Sequence, residues 1–195
     1  MSKTPEAPLG RVRWKRLAAI TAPAALGAGA LIFMTAQGTI ASSFAVSGSS
    51  FKVKADSLDG TGFVQYGGVD HESNGTKHPV QVSGIKNATI RNMCQSVKVG
   101  PFTLRLTAGT GKTPVTARNL TLDVAQLDAD AVFENIEIGR DASTLDKGPG
   151  KGAAGMFGQQ ADEIHLTNVR QTAWATTAGT FRLADLSMKL GDECF

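Results

Sequence analysis

The side chains best suited to acid–base chemistry near neutral pH are three histidines, His71, His78 and His165. A serine hydrolase needs one of them within hydrogen-bond reach of a serine, backed by an acid. The Gly-x-Ser-x-Gly sequence of a nucleophile elbow is absent from the chain. The candidate nucleophiles, none with a supporting local motif, are Ser49, Ser50, Ser83, Ser96 and Ser143. We therefore predict no catalytic residues and no cofactor.

The sequence around the histidines and acids predicts no metal site either. His71 and His78 flank the polar segment HESNGTKH and are expected to be solvated. His165 alternates with apolar neighbours and is expected to face water or a satisfied partner. Four acids could hold a hard cation, but their spacing does not match a calcium loop, and a solvated acidic edge is the better interpretation. They are Asp128, Asp130, Glu134 and Asp141.

The segment 109–113, GTGKT, is similar to the end of a phosphate-binding loop. The full pattern needs a glycine where this chain has Leu106. Pro114 is followed by a strand pattern, so the helix whose N-terminus would hold the phosphate is missing. We interpret the segment as a hairpin turn.

The chain has two cysteines, Cys94 and Cys194. Export would place them in an oxidising space, where a disulfide persists. A Cys94–Cys194 bridge is the preferred interpretation, and it would tie down the C-terminal tail. The alternative is two free thiols, of which Cys194 would be the reactive one. Two cysteines with no nearby histidine make a poor metal site.

The elements that must position these side chains are predicted to be strands. Apolar and polar residues alternate in segments 51–55, 97–99, 102–106, 120–124, 136–138 and 186–190. Such alternation is typical of strands with one buried face. Segment 125–133 is ambiguous and could form a short helix. We predict an all-β, mostly antiparallel single domain, arranged as a sandwich, a rolled sheet or a solenoid-like repeat, and preceded by one N-terminal apolar helix.

Two short patterns recur along the predicted strands. Asparagine followed by an apolar residue occurs at Asn87, Asn119, Asn135 and Asn168, and Ala-Asp occurs at Asp56, Asp130, Asp162 and Asp185. Steps of 32, 16 and 33 between the asparagines suggest rungs or hairpins of similar length. The alternative is that Asn and Asp simply begin strands after turns.

The clearest loop is segment 146–160, DKGPGKGAAGMFGQQ, which is too rich in glycine for a sheet interior. Met156 and Phe157 are apolar residues near its tip. They either pack back onto the domain or form a contact loop for a partner or a membrane.

The N-terminal region predicts location. Residues 1–16 are expected to form a basic cytoplasmic stub, 17–37 a signal or anchor helix, and 44–195 an extracytoplasmic β domain. Twenty positions from Leu17 to Ala36 lack charge, which is long enough to cross ~30 Å of hydrocarbon. Cleavage and retention are equally compatible with the sequence, so the protein is expected to be either anchored to the cytoplasmic membrane or secreted.

The formal charge of +3 belongs to this N-terminal region. Residues 1–16 hold five basic residues and one acid, which leaves fifteen basic and sixteen acidic residues and a net charge of −1 for the rest. Positive residues beside an apolar segment orient it in the membrane. No basic surface interleaved with aromatics remains, so we expect no nucleic-acid partner.

Several segments resemble a family of uncharacterised exported proteins from actinomycetes. The residues that carry the resemblance are 51–56 (FKVKAD), 58–67 (LDGTGFVQYG), 94–96 (CQS), 119–123 (NLTLD) and 138–142 (IGRDA). It extends from the apolar segment to the C-terminus. Some members carry a cholesterol esterase label, but the resemblance transfers no catalytic residue, since no nucleophile elbow is visible here.

Three functions remain open from the sequence. The first is a non-enzymatic cell-envelope protein that binds a partner or assembles with itself, with an exposed sheet edge as the expected contact. The second is a lipid-binding module, which needs an apolar cavity of about 300–1,000 Å³. The third is a lipid esterase, which needs a serine beside a histidine.

Overall fold

The structure is a computed structural model that describes residues 46–195. The predicted basic stub and apolar helix lie outside the described residues. The described part is almost entirely β, as predicted, with one 3₁₀ turn at Ala142–Thr144. Its strands are β1 (Phe51–His71), β2 (Lys77–Arg91), β3 (Met93–Val99), β4 (Phe102–Ala108), β5 (Val115–Glu134), β6 (Glu137–Asp141), β7 (Phe157–Thr177), β8 (Thr180–Arg182) and β9 (Ser187–Leu190).

Four long strands form a sheet that closes on itself. β1 pairs with both β2 and β7, and β5 pairs with the far sides of β2 and β7. All four pairings are antiparallel. Of the three predicted arrangements, the chain therefore adopts the rolled sheet. We call these four strands the ring.

A smaller piece of sheet extends from the ring. The first residues of β1 pair with β3 in place of β2, and β4 and β9 follow outward in that order. We call residues 51–54 together with β3, β4 and β9 the wing. The outer side of β9 pairs with no strand of the described chain.

The core lies inside the ring, and period-two alternation places it there. Inward-facing residues of all four ring strands are almost fully buried, among them Leu58, Phe63, Ile85, Leu120 and Ile164. Burial of each such side chain contributes about 1.5–3 kcal/mol. The alternation predicted from the sequence is thus the pattern that builds the core.

Asparagines in the left-handed conformation interrupt this alternation. Asn92, Asn119 and Asn168 have φ of 52°, 49° and 55°, a region that asparagine adopts more readily than most residues. Buried residues on either side are three apart instead of two, as in the pairs Ile90/Met93, Ala117/Leu120 and Leu166/Val169. Each left-handed asparagine therefore shifts the alternation by one residue and keeps the strand facing the core.

The two recurrent sequence patterns meet at these positions. The side-chain amides of Asn92, Asn135 and Asn168 donate to the carboxylates of Asp56, Asp162 and Asp130 on neighbouring strands. The recurrence therefore corresponds only in part to repeated contacts: of the four recurrent asparagines, Asn135 and Asn168 bond an aspartate, and the strands do not form a stack of equal rungs. Asn87 has no part in it, since its amide donates to Thr61.

The structure resolves one ambiguous segment and shows that one local prediction is wrong. Segment 125–133 is not a helix, because it continues β5 and pairs with β7 to the end of that strand. The turn at 109–113 is not a hairpin turn, because β4 and β5, which it connects, do not pair with each other. No helix in residues 46–195 has the length and apolar character that crossing a membrane requires.

Candidate functional site

The predicted Cys94–Cys194 disulfide is confirmed, and it fixes the C-terminal tail against the wing. The backbone N–H of Cys194 donates to the Ser96 hydroxyl at 3.0 Å. Glu193 accepts from the ammonium groups of Lys52 and Lys98 at 3.2 and 3.1 Å, and these bonds lower the pKa of Glu193. The tail thus covers the polar face of the wing.

The opposite face of the wing is apolar; its outer part is exposed, and the part nearest the ring is half-buried. Strand register places one uncharged set of residues on this face: Phe51, Val53, Gln95, Val97, Val99, Phe102, Leu104, Leu106, Met188 and Leu190. Four of them, Val99, Phe102, Met188 and Leu190, are 57–65% exposed. The basic residues Lys52, Lys98, Arg105 and Lys189 alternate with this set and point to the tail side. We call the uncharged set the wing face.

The loop predicted at 146–160 packs closely on the outside of the ring. The irregular loop ends at Met156, because strand β7 begins at Phe157. The backbone N–H groups of Asp146 and Lys147 donate to the side-chain oxygen of the fully buried Gln160. The side-chain amide of Gln160 in turn donates to Asp146 and to Glu137 at 3.0 and 3.1 Å. The loop is therefore fixed to the sheet at its base.

Glycines allow this loop to approach the sheet. A Cβ added at Gly84 would lie 2.2 Å from the backbone oxygen of Pro149 and 2.9 Å from Val64. We expect Gly84→Ala to lower the free energy of unfolding by about 2 kcal/mol, because the loop must move away. Urea denaturation measures this difference. Gly191→Ala is the control, since its added Cβ meets no atom within 4 Å; equal losses in both variants would contradict the close packing.

The two predicted contact residues stay at the surface. Met156 and Phe157 are 42% and 56% exposed. A Cβ at Gly67 would lie 3.2 Å from the Met156 methyl group, so this side chain rests partly on β1. Their role as a contact loop stays a prediction.

Two carboxyls that interact electrostatically, Asp70 on β1 and Asp123 on β5, both have raised pKa values. Asp123 is 8% exposed, and burial, followed by the nearby Asp70, raises its pKa to about 6. Burial also raises the pKa of Asp70, against the opposing effect of His78 and His71. Burial and Asp123 raise the pKa of Tyr66. Such a group of perturbed carboxyls is a candidate functional site, although buried carboxyls of this kind also occur without a function.

His78 belongs to this region and corrects the prediction that it is solvated. Its imidazole stacks on Trp174 with 3.6 Å between ring centroids and an interplanar angle of 18°. Its Nε2 lies 2.7 Å from a carboxylate oxygen of Glu72. His71 is exposed, as predicted. His78 lies on β2 in register with Asp70, and its side chain packs against Trp174 of β7.

A second titratable cluster surrounds His165. Its Nδ1 lies 3.0 Å from a carboxylate oxygen of Asp59 on β1. Its Nε2 lies 3.5 Å from Glu163 and 3.8 Å from Glu134. The hydrogen bond to Asp59, followed by the charges of the three acids, raises the pKa of His165. One imidazole and three carboxylates thus converge on the outer face of the ring.

The interior of the ring holds a small apolar cavity. Its volume is about 140 Å³. Most of its lining is apolar and includes Leu58, Phe63, Leu122 and Phe133, and a few polar residues such as Gln171 also line it. Bound small molecules usually occupy about 300–1,000 Å³. This cavity therefore lacks the volume that the lipid-binding alternative requires.

Three of the five candidate serines form hydrogen bonds with groups other than histidine. Ser83 accepts from the Gln65 amide, Ser96 accepts from the Cys194 backbone, and the Ser143 hydroxyl donates to Asp141. In residues 46–195, no hydrogen bond joins a serine hydroxyl to a histidine ring. The geometry offers no support for the esterase alternative.

The His165 cluster was not predicted from the sequence. The sequence grouped Glu134 with Asp128 and Asp130 as a possible cation site, whereas the structure brings Glu134 close to Glu163 and His165. Asp59 and His165 are 106 positions apart, so no spacing motif connects them. The one local signal is the Glu163-Ile-His165 alternation, which puts both polar side chains on the outer face of β7.

Comparison with known proteins identifies the family of this chain. No curated protein and no solved structure is a significant match to the chain. Residues 47–195 match a family described as a family of unknown function (DUF6230), and this range covers almost all of the described β domain. By this match over most of its length, the chain belongs to that family, DUF6230.

Proposed function

We propose that this chain is a non-enzymatic cell-envelope protein whose β domain assembles with a second copy of itself through the wing face. The domain would be held at the outer side of the cytoplasmic membrane by residues 17–37, or released from it after cleavage. The contact would bring two wing faces together, with the sheets about 10 Å apart as in a two-layer sandwich.

The observation that carries this proposal is the exposure of four apolar side chains on the wing face. Val99, Phe102, Met188 and Leu190 present apolar side chains at more than half exposure on one side of a paired sheet. Contiguous exposed apolar surface of this kind marks interaction sites. Its burial against another surface would contribute about 25 cal/mol per Å² of apolar area.

The chemistry of the face favours a second copy as the occupant. All of its residues are uncharged, so two copies meet without like-charge repulsion, and a two-fold axis would make the contact self-complementary. Binding to a membrane surface is favoured when basic residues border the apolar ones. Here the basic residues of the wing lie on the opposite face, on the side of the tail.

The strand edge is a less suitable contact than the sequence suggested. β9 has four residues and carries Lys189 near its middle. Short edge strands and edge lysines are features that discourage edge-to-edge pairing. We therefore place the contact on the face of the wing and not on its edge.

The test is the mass of the purified full chain in solution. We expect sedimentation equilibrium to show a monomer–dimer equilibrium for the unaltered chain. Phe102→Asp places a charge within the proposed contact and is expected to shift the chain to monomer, because an unpaired charge that becomes buried opposes association.

Ile138→Asp is the matched control. Ile138 is 66% exposed and lies on β6, away from the wing. We expect this variant to associate as the unaltered chain does. A chain that stays monomeric throughout, or one that both substitutions disrupt equally, would count against assembly through the wing face; binding of a different protein to the same face would redirect the proposal to that partner.

A further inference from the structure

Three strands of the ring place an imidazole among three carboxylates. His165 on β7 is in register with Asp59 on β1, and Glu163 on β7 is in register with Glu134 on β5. Directly paired residues of antiparallel strands have side chains on the same face. The four side chains therefore stand together on rigid elements, which hold a binding geometry better than loops do.

The three carboxylates of the cluster share His165 and have no lysine or arginine partner among the described residues. Like charges directly opposite each other on paired strands destabilise a sheet, and this is the relation of Glu134 to Glu163. Within residues 46–195, no lysine or arginine lies within 4.0 Å of Asp59, Glu134 or Glu163. Glu137 and Asp162, by comparison, are both paired with Lys147. The cluster thus lacks the cation that the neighbouring acids have.

The distances from the His165 ring come close to those that a divalent transition metal needs. Nε2 of His165 and one oxygen each from Glu134 and Glu163 lie within 4.8 Å of one another. Two ligands of a tetrahedral zinc ion are about 3.4 Å apart, given bonds of about 2.0–2.1 Å. The observed separations from Nε2, 3.5 Å to Glu163 and 3.8 Å to Glu134, require a closure of only a few tenths of an ångström.

Asp59 supplies the second feature of such a site. Metal-binding histidines usually donate their other ring N–H to a carboxylate, which fixes the tautomer and the ring orientation. A carboxylate oxygen of Asp59 lies 3.0 Å from Nδ1 of His165 and can accept its hydrogen bond. The other ring nitrogen, Nε2, is then directed at the two glutamates. Neither glutamate lies within normal hydrogen-bond distance of Nε2, so that nitrogen is available as a ligand.

We propose that His165, Glu163 and Glu134 bind a Zn²⁺ ion on the outer face of the ring, with Asp59 as a positioning residue. The imidazole nitrogen favours zinc over calcium and magnesium, which prefer sets of oxygen ligands. Three protein ligands leave the fourth tetrahedral position to water. The site links β1, β5 and β7, so bound metal would stabilise the folded ring. It does not depend on assembly through the wing.

The experiment is titration of the purified full chain with zinc chloride at neutral pH, after removal of metal with EDTA. Isothermal titration calorimetry is expected to show one zinc ion per chain. Differential scanning fluorimetry is expected to show a higher unfolding midpoint with zinc, since a ligand that binds the folded state stabilises it. Magnesium and calcium chloride at the same concentration are expected to leave the midpoint unchanged.

Three variants and a control locate the site. Glu163→Gln and His165→Gln each remove one ligand with little change in volume, and each is expected to abolish the zinc-dependent rise of the midpoint. Asp59→Asn is expected to weaken zinc binding about 10–100-fold while the midpoint without zinc stays the same. The control is His71→Ala, which removes an exposed histidine outside the cluster and should bind zinc as the unaltered chain does.

Absence of zinc binding by the unaltered chain would overturn the proposal, and so would equal binding by Glu163→Gln and His165→Gln. Loss of binding in His71→Ala would move the metal to the hairpin histidines and also refute this site. If His165→Gln fails to fold, the Glu163→Gln variant tests the site instead. Its unfolding midpoint without zinc shows whether it folds independently of the metal.

Discussion

Removal of the Cys94–Cys194 bridge is expected to lower the free energy of unfolding by about 4–5 kcal/mol. The bridge joins residues 100 positions apart, and closing so long a loop restricts the unfolded chain strongly. That loss is a large share of the roughly 5–15 kcal/mol by which domains are usually stable. The change is Cys94→Ala with Cys194→Ala, and urea denaturation of both chains measures the difference.

A second variant distinguishes the contribution of the tail's ion pairs to stability from that of the disulfide. Glu193→Gln keeps the disulfide but removes the charge that pairs with Lys52 and Lys98. Exposed ion pairs contribute little to stability, so this variant should remain close to the unaltered chain. A double cysteine variant within 1 kcal/mol of the unaltered chain would show that the bridge constrains the unfolded state far less than its loop length implies.

Loss of the bridge is also expected to affect the wing. The tail begins directly after β9, and the N–H of Gly191 donates to the Thr103 carbonyl on β4. β9 has four residues and pairs only with β4 among the described strands, so the disulfide is its main covalent constraint. The cysteine variant should therefore associate more weakly, because half of the exposed wing face is on β9.

Asp123→Asn is expected to stabilise the domain at pH 8 by about 2 kcal/mol. In the folded domain the pKa of Asp123 is raised to about 6, whereas an aspartate in an unfolded chain has a pKa of about 3.9. A difference of about two pKa units corresponds to about 3 kcal/mol. Part of this gain is lost because the new amide is also buried.

The pH dependence follows from the direction of the shift. The folded state retains the Asp123 proton to a higher pH than the unfolded state does, so this carboxyl favours folding most below about pH 4. Its contribution falls as the pH rises towards about 6 and stays low above that. Asp123→Asn should remove most of this decline. A smaller decline should remain, since the pKa of Asp70 is raised as well.

The measurement is the free energy of unfolding at pH 4, 6 and 8, with EDTA present to exclude metal effects. Asp128→Asn is the control, because Asp128 is an exposed aspartate on the same strand. We expect the control to follow the unaltered chain at each pH. If Asp123→Asn shows the same decline as the unaltered chain, then Asp123 does not carry the pH dependence.

The strands were predictable because their signal is local. Segments such as 102–106 and 120–124 alternate apolar and polar residues, and they lie in β4 and β5. The helix alternative for 125–133 failed for a tertiary reason. The segment Gln126–Glu134 gains its strand conformation from pairing with β7, a partner about 40 residues away in the chain.

The candidate sites differ in how far sequence could find them. The disulfide was predictable because two cysteines allow one intramolecular pairing. The His165 cluster was not, because Asp59, Glu134 and Glu163 come from three strands that meet through ring closure. The wing face was predictable only in part. The alternation of apolar and polar residues appears in the sequence, but the exposure of the apolar side chains does not.

The sequence by itself determined the all-β class, the disulfide partners and the recurrence of asparagine and aspartate, because each depends on residue type and short spacing. The tertiary structure decided which asparagine meets which aspartate, that the sheet closes into a ring, and which apolar face is left uncovered. Those features depend on strand register between distant segments. A one-residue change of register reverses every side chain, so local sequence cannot fix them without the pairing.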